Sequence, residues 1–229
     1  MSLSNLRRDQ RGTTLVELMV ALMAGIVIIS ALSMVILTTL HSTSRVTARV
    51  HATQRARIVM VRLMEQLHSA CVTPEIAPIQ EGSTGTSLRF IHQTGAAVQP
   101  TPLYSVVSLS GDTLYQQDYA VSGTPPAWGQ GAAIGGPRTL LTDVGPTPPS
   151  SSIFSYHRYT GGTISQTPQT VPLAGVDPSL TVEVRAALTA APESTPVKDA
   201  GAAASVQNSA TLRLTPPSYN EGSPARPCQ

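Results

Sequence analysis

The fold is decided by residues 11–45, which read RGTTLVELMVALMAGIVIISALSMVILTTLHSTSR. Twenty-seven consecutive residues between Glu17 and Arg45 include no Asp, Glu, Lys or Arg, and most of 18–40 is Leu, Met, Val, Ile or Ala. A helix needs about 20 apolar residues to cross a bilayer core of about 30 Å. The run is long enough to span a membrane, and it is too long for the apolar core of a signal peptide, about 7–15 residues.

Basic residues precede the apolar run. Arg7, Arg8 and Arg11 stand there against Asp9. Because a basic flank of this kind stays in the cytoplasm, we expect a single-pass protein of the cytoplasmic (inner) membrane. Its N-terminus lies in the cytoplasm in this prediction, and everything after the span is extracytoplasmic.

Glu17 is anomalous at the start of such a run. An ionisable residue at membrane depth costs about 2.5–3.5 kcal/mol on insertion scales, so it is a candidate functional residue. The alternative is an interfacial position, where this cost is small and a helix N-terminus favours an acid.

Residues 11–22, RGTTLVELMVAL, resemble the cleavage and methylation motif of type IV prepilins and type II secretion pseudopilins. In that family a prepilin peptidase cuts after the Gly and methylates the new N-terminus, and the Glu at the fifth mature position is kept for assembly. The resemblance implies that Gly12 ends the leader, that Thr13 becomes the mature N-terminus and that Glu17 is the assembly carboxylate. The family usually has Phe at the first mature position, where this chain has Thr13.

The charges of the Thr13 amine and the Glu17 carboxylate are consistent with a role in assembly. Cleavage would expose an α-amino group with a pKa of about 7.7–8.0. Once buried among apolar helices, that cation and the Glu17 carboxylate each need an opposite charge. Their geometry within one helix is poor for pairing, whereas a neighbouring subunit shifted along the bundle would satisfy both. We therefore interpret Glu17 as a register device with no catalytic role.

Two other fates of the N-terminal segment stay open. The sequence Ala31-Leu32-Ser33 could serve as an ordinary signal-peptidase site, which would release a soluble secreted domain. Glu17 and the continuation of the apolar run to Leu37 argue against that site. The second alternative is an uncleaved signal anchor.

From Ser42 the pattern becomes amphipathic, with no Pro or Gly until Pro74. A continuous helix from about Thr14 to Ala70 is predicted, and its apolar stripe is expected to pack on the rest of the chain. The residues at helical spacing are Val46, Val50, Met60, Met64, Leu67 and Cys71. The Arg residues between them would bind DNA or anionic lipid in one interpretation; a solvated face, or pairing with acidic neighbours, is the commoner explanation.

After Pro74, short β-prone runs alternate with stretches rich in Gly, Pro, Ser and Thr. The predicted strands are 87–92, 104–109, 113–120, 138–144, 153–159, 180–188 and 210–214, with Gly111-Asp112 at hairpin spacing. Leu180, Val182 and Val184 alternate with polar residues, as in a strand with one buried face. The stretches 123–137 and 190–209 are predicted to be long, poorly ordered loops.

The predicted fold class is α+β: a long N-terminal helix, half transmembrane and half amphipathic, packed on an antiparallel β-sheet head, as in pilins. The expected organisation is a cleaved leader (1–12), a transmembrane helix (13–40), an amphipathic stalk helix (41–73) and a β-rich head with long loops (74–229). Some segments also resemble J-type minor pseudopilins and PilW-type minor pilins. They are LLTDV at 140–144, FSY at 154–156, Gly161-Gly162, DPSL at 177–180 and the stretch 54–71.

These resemblances imply a minor pilin or pseudopilin that primes or caps assembly of a type IV pilus or a type II secretion pseudopilus, in a filament or at the cell surface. The implied partners are prepilin peptidase, other pilins or pseudopilins through the N-terminal helix, and the inner-membrane assembly platform. The head would contact surfaces, DNA or secreted proteins. The alternatives are a membrane-anchored binding or adhesion module outside any filament and, third, a tethered hydrolase.

Composition and motifs give no sign of catalysis. The chain has nine aromatic residues and a net charge of +2, and it contains no phosphate loop, His-Glu-x-x-His pair or Gly-x-Ser-x-Gly elbow. Its five His show no metal-ligand spacing, and Asp112 and Asp118 are explained by turn chemistry more simply than by calcium. We therefore predict no enzyme, no catalytic residue, no metal and no cofactor.

Two cysteines, Cys71 and Cys228, are too few for a disulfide-dense scaffold or a Cys-based zinc site. They are candidates for a single disulfide that would close nearly the whole head. Two free or separately buried thiols are the alternative, because a sequence does not supply the distance that the bond requires.

Overall fold

The computed structural model describes residues 14–70, 77–94, 101–123, 128–193 and 203–212. The chain divides into two compact units, one ending at Thr47 and the other beginning at Ala48. The helices are α1 (Leu15–His68) and α2 (Asp177–Leu180); the strands are β1 (Ser87–Thr94), β2 (Thr101–Ser110), β3 (Thr113–Ser122), β4 (Gly129–Leu141), β5 (Val144–Pro146), β6 (Phe154–His157), β7 (Tyr159–Thr160), β8 (Thr163–Ile164), β9 (Glu183–Ala190) and β10 (Ala204–Thr211).

The helix α1 contributes residues to both units and contains one glycine, Gly25, and no proline. It ends at His68, two residues before the predicted end at Ala70. The last turn closes through hydrogen bonds from the Ser69 N–H to the Glu65 carbonyl (3.0 Å) and from the Ser69 hydroxyl to the Gln66 carbonyl (2.9 Å). The chain then leaves the helix and bridges to β1, where Ala70 pairs with His92.

Within the second unit, one face of α1 is buried. Its residues recur every three or four positions, which is the spacing of one helix face; they are Ala52, Ala56, Met60, Leu63, Met64 and Leu67. The predicted stripe was therefore right for Met60, Met64 and Leu67. It was wrong for Val46 and Val50, which are 61% and 47% exposed, because the helix presents alanines to the head at this end.

The strands form antiparallel pairs in two four-stranded groups. The first sheet has the order β1-β2-β3-β4, and in the second β10-β9-β5 are joined by β6, which also pairs with β9. The predicted hairpin at Gly111-Asp112 is confirmed, since Ser110 pairs with Thr113 and Gly111 has φ of 63°. Strands β7 and β8 form a separate two-stranded hairpin.

Both predicted long loops contain strands. The strand β4 occupies most of 123–137, and β10 begins inside 190–209. These strands are edges that take their backbone hydrogen bonds from β3 and β9, so pairing overrides a composition rich in Gly, Ala and Ser. A Cβ on Gly131 would lie 2.6 Å from the Ala120 carbonyl oxygen, so the close approach of β4 to β3 requires glycine at this position.

The predicted alternation over 180–188 was wrong at its beginning. Leu180 ends α2 and is 44% exposed, whereas Thr181 and Glu183 are buried. The Thr181 hydroxyl is held by Gln169 Oε1 (2.8 Å) and the Asp177 carbonyl (3.1 Å). A proline in the first turn, Pro178, favours the short helix, and the strand β9 starts only after it.

One hydrophobic core joins α1 to both sheets. Its largest fully buried side chains include Leu67 from α1, Leu88 and Phe90 from β1, Leu114 from β3, Tyr156 from β6 and Leu188 from β9. The buried Tyr156 hydroxyl donates to the carbonyls of Thr84 (2.9 Å) and Ser87 (3.2 Å). The predicted fold class is confirmed: an α+β fold in which a long N-terminal helix packs on an antiparallel β-sheet head.

The packing of α1 on the head predicts different costs for two truncations on the same helix. Leu67→Ala should lower the free energy of unfolding by about 2–5 kcal/mol, because Leu67 is 1% exposed and its loss leaves a cavity. The control Ile58→Ala removes a side chain that is 70% exposed and should change stability by no more than about 0.5 kcal/mol. Urea unfolding of the full chain, followed by the fluorescence of its single tryptophan, measures both. Equal losses would contradict the described packing.

Candidate assembly site at the start of the apolar helix

The first turn of α1 is capped by a side chain. The Thr14 hydroxyl accepts a hydrogen bond from the Glu17 N–H at 3.3 Å, and the Thr14 carbonyl accepts one from the Leu18 N–H at 3.1 Å. Thr14 and Glu17 have the spacing of a capping box, in which an N-cap Thr precedes a Glu by three residues. The sequence prediction named Thr14 as the approximate start of the helix and not as its cap, although this spacing is the signal for the cap.

Glu17 is exposed in the first turn of α1, where the positive end of the helix dipole favours an acid. Within the described residues, no ion pair or hydrogen bond engages its carboxylate. The helix backbone thus explains a local preference for Glu17 and leaves the carboxylate free for a partner outside this part of the chain.

The surface of the helix after Glu17 is apolar and exposed. Its most hydrophobic 18-residue window has a mean hydropathy of 2.7 and no buried residue, and α1 is long and apolar enough to cross a membrane. Large side chains such as Met23, Val27 and Met34 are 71%, 67% and 73% exposed. Burying apolar area is favourable by about 25 cal/mol per Å². Contact with lipid or with other apolar helices would therefore stabilise this surface.

Five of the seven side-chain hydroxyl groups between Glu17 and Arg45 are hydrogen-bonded within the helix. Five side chains each donate to the carbonyl four residues earlier, at 2.6–2.9 Å; they are Ser30, Ser33, Thr38, Thr39 and Thr43. A polar group in hydrocarbon is costly unless it is paired. These bonds therefore make the hydroxyls compatible with a membrane without partners on another helix.

The remaining predicted site residues lie outside the described residues. They are Gly12 and Thr13, predicted for processing, and Cys71 and Cys228, predicted as candidates for a disulfide. Their roles stay predictions.

The basic face of the stalk has one described contact to the head. Arg55 donates from Nη2 to the Ala191 carbonyl at 3.2 Å, so this cation ties the helix to the end of β9. Arg49, Arg57 and Arg62 are exposed. Arg55 therefore contacts the head, whereas those three arginines are exposed to solvent.

A Ser–His–Asp cluster lies across β1, β2 and β3, with His92 and Ser105 buried and Asp118 half-buried. His92 Nε2 is 2.9 Å from the Ser105 hydroxyl, which donates to Asp118 Oδ1 at 2.6 Å. In a catalytic triad the His lies between the other two residues and removes the Ser proton. Here the hydroxyl lies in the middle and its proton is directed to Asp118. Ser105 is also fully buried, so this arrangement is a structural network.

The charged residues of the second sheet are likewise paired. Glu183 accepts a hydrogen bond from Arg185 Nη2 at 3.0 Å, and this bond is the main reason that the pKa of Glu183 lies below its usual value. In the described part of the chain, no group of three or more His, Cys, Asp or Glu is placed to hold a metal ion. Asp112 lies exposed in the β2–β3 turn and belongs to no such group.

No protein-family model matches the sequence, and a search of the curated proteins finds no match. Among solved structures, one similar chain belongs to the crystal structure of the GspK-GspI-GspJ complex from the type 2 secretion system of enterotoxigenic Escherichia coli. The match covers 71% of this chain and 97% of the similar chain, with 14% sequence identity and a TM-score of 0.40. Similarity at this level assigns neither a family nor an activity to the chain.

Burial of His92 predicts a loss of stability in acid. Desolvation lowers the pKa of His92 below 6.5, so the unfolded chain binds this proton at a higher pH than the folded chain. The contribution of His92 is therefore fully present above pH 6.5 and is lost as the pH falls below it. The free energy of unfolding in urea should fall between pH 7.5 and 5.5 by at most about 1.4 kcal/mol on account of this residue.

The variant His92→Gln provides the comparison for that experiment. It should show a smaller fall in stability over the same interval, because the titrating imidazole is gone. Glu183 does not interfere, since its lowered pKa places its titration below 4.5. Identical pH profiles of the variant and the wild type would refute the role assigned to His92.

Proposed function

We propose that the chain is a minor pilin or pseudopilin subunit that primes or caps assembly of a type IV pilus or a type II secretion pseudopilus. The observation that carries this proposal is Glu17, a carboxylate without a described partner at the start of an exposed apolar helix. A filament built on such helices gives the apolar surface and the carboxylate a partner at the same time. The subunit acts through contacts and carries out no reaction.

The magnitudes favour a partner for Glu17 over a purely local role. A carboxylate at a helix N-terminus is stabilised by about 0.3–1 kcal/mol. An acid at membrane depth costs about 2.5–3.5 kcal/mol. Capping of the first turn therefore offsets only part of that cost, and a cation on a neighbouring subunit supplies the rest.

That cation is the α-amino group of a neighbouring mature chain in this proposal. Prepilin peptidase cuts after Gly12 and frees and methylates the amine of Thr13. The amine of one subunit then pairs with Glu17 of the next, and this pairing sets the register between adjacent helices. Other pilins or pseudopilins and the inner-membrane assembly platform are the partners.

The proposed topology follows from the charge flanking the helix. The first part of α1 spans the inner membrane with its N-terminus in the cytoplasm, because Arg7, Arg8 and Arg11 precede it. The head is extracytoplasmic before assembly and lies in the filament or at the cell surface afterwards.

The variant Glu17→Gln tests the assembly role. The N-cap hydrogen bond uses the Glu17 backbone N–H, so the helix start is retained while the charge is removed. Insertion into the membrane should be unchanged, and incorporation into sheared filaments or cross-linked subunit complexes should fall at least about tenfold, because breaking a buried ion pair costs about 3–5 kcal/mol. Cells that contain the assembly machinery are required.

The matched control is Glu65→Gln, which removes an exposed acid from the same helix and should incorporate like the wild type. Unchanged incorporation of Glu17→Gln would reject the assembly role. It would favour a membrane-anchored binding module outside any filament.

Processing is tested separately by intact mass of the protein extracted from membranes. The proposal expects an N-terminus at Thr13, and Gly12→Val should leave the leader attached because cleavage requires the small residue. An N-terminus at Met1 in cells with a working peptidase would indicate an uncleaved anchor. One at Met34 would indicate an ordinary signal-peptidase site.

A further inference from the structure

Most of the exposed apolar side chains in the described part of the head lie in one stretch of the sequence, residues 159–180. Outside α1, the described residues include five large hydrophobic side chains that are exposed. Ile134 on β4 is isolated from the others in the sequence, whereas Tyr159, Val171, Val176 and Leu180 lie close together along it, at 53%, 38%, 70% and 44% exposure. Tyr159 and Leu180 also meet in space, because both line one groove, and contiguous exposed apolar surface often marks an interaction site.

A groove of about 420 Å³ lies within this region. It is lined by Arg158, Tyr159, Thr160, Ser179, Leu180 and Val182. One side is the hairpin β7–β8, where Tyr159 pairs with Ile164, and the other side is α2. The groove therefore has apolar walls, three hydroxyl groups and one guanidinium.

Hydrogen bonds fix both sides of the groove. The Val182 N–H donates to the His157 carbonyl at 2.9 Å, and the Ser165 N–H donates to the Arg158 carbonyl at 2.8 Å. His157 Nδ1 lies 2.8 Å from the Ser165 carbonyl oxygen, below the base of the hairpin. The opening is thus built into the fold, which lowers the ordering cost of binding.

The charge in the groove is uncompensated. Among the described residues, no acceptor engages the Arg158 guanidinium, in contrast to Arg185, which is paired with Glu183. An arginine of this kind binds a carboxylate well, because its planar donors match two carboxylate oxygens. A ligand for the groove therefore combines an apolar group with a carboxylate.

We propose that this groove binds an extended peptide segment of another protein, in which a large apolar side chain stands next to a carboxylate. The apolar side chain packs between Tyr159 and Leu180, and the carboxylate pairs with Arg158. The hairpin favours a peptide as the occupant. Among the described residues β7 and β8 pair with each other and with no other strand, so main-chain groups at their outer edges are left for an added strand.

A second copy of this chain fits the groove less well. A symmetric contact would place the same surface on both sides, so the two Arg158 guanidinium groups would face each other and repel. The chain's own residues 213–229 are the other competing occupant, since Leu212 is bonded to Val182 at the groove (N–H to carbonyl, 2.8 Å). A chain that ends after Leu212 distinguishes this occupant from a peptide of another protein.

The test uses the full chain in lipid nanodiscs and a fluorescein-labelled hexapeptide, Gly-Ser-Phe-Glu-Ser-Gly, with binding measured by fluorescence anisotropy against empty nanodiscs. The wild type should bind this peptide saturably. Arg158→Gln should weaken binding by about threefold to tenfold, and so should replacing the peptide's Glu by Gln. The two changes together should cost no more than either alone, because they remove the same pair.

The variant Leu180→Ser tests the apolar wall. It should weaken binding of the Phe-containing peptide. A peptide with Ala in place of Phe should bind weakly, and equally so to this variant and to the wild type. The matched controls are Arg57→Gln, an exposed arginine on α1, and Ile134→Ser, an exposed apolar residue on β4. Both controls should bind like the wild type.

Several results would overturn the proposal: no saturable binding by the wild type, equal weakening in the controls, or binding that appears only when the chain is ended after Leu212. The last result would assign the groove to the chain's own C-terminal residues. The inference is independent of filament assembly, since Arg158→Gln should leave incorporation intact and Glu17→Gln should leave peptide binding intact.

Discussion

The structure depends on the burial of one face of α1, from Ala52 to Leu67, in the core of the head. Each large side chain on this face contributes about 1.5–3 kcal/mol by leaving water, and the two alanines allow the backbone to approach closely. The same helix begins with a surface that is apolar and exposed. One element therefore carries both an exposed apolar surface and the face on which the head packs, and the proposed assembly role requires both.

Many polar groups in the head are satisfied by hydrogen bonds that stabilise the fold. The cluster of His92, Ser105 and Asp118 closes its hydrogen bonds internally, and Glu183 is paired with Arg185. Buried polar groups cost free energy unless they are bonded in this way. Arg158 differs because its charge is uncompensated within the described residues, and that difference marks the groove beside it as a surface for a partner.

Several elements could be predicted because their signals are local. The hairpin at Gly111 follows from a two-residue turn between β-prone runs, and Met60, Met64 and Leu67 follow from helical spacing. β4 and β10 could not be predicted in this way, because edge strands take their order from pairing with β3 and β9 and not from their own composition. Val46 and Val50 were assigned to the buried face because periodicity does not show where the head ends along the helix.

By itself, the sequence determined the long apolar helix, the position of Glu17 at its start and the β-rich character of the head, since these depend on composition and spacing along the chain. Only the tertiary structure decided that Ser105 lies between His92 and Asp118, and that Arg158 shares a groove with Leu180. Such arrangements join residues through strand pairing and packing. These contacts join residues that are far apart in the sequence, so spacing along the chain does not reveal them.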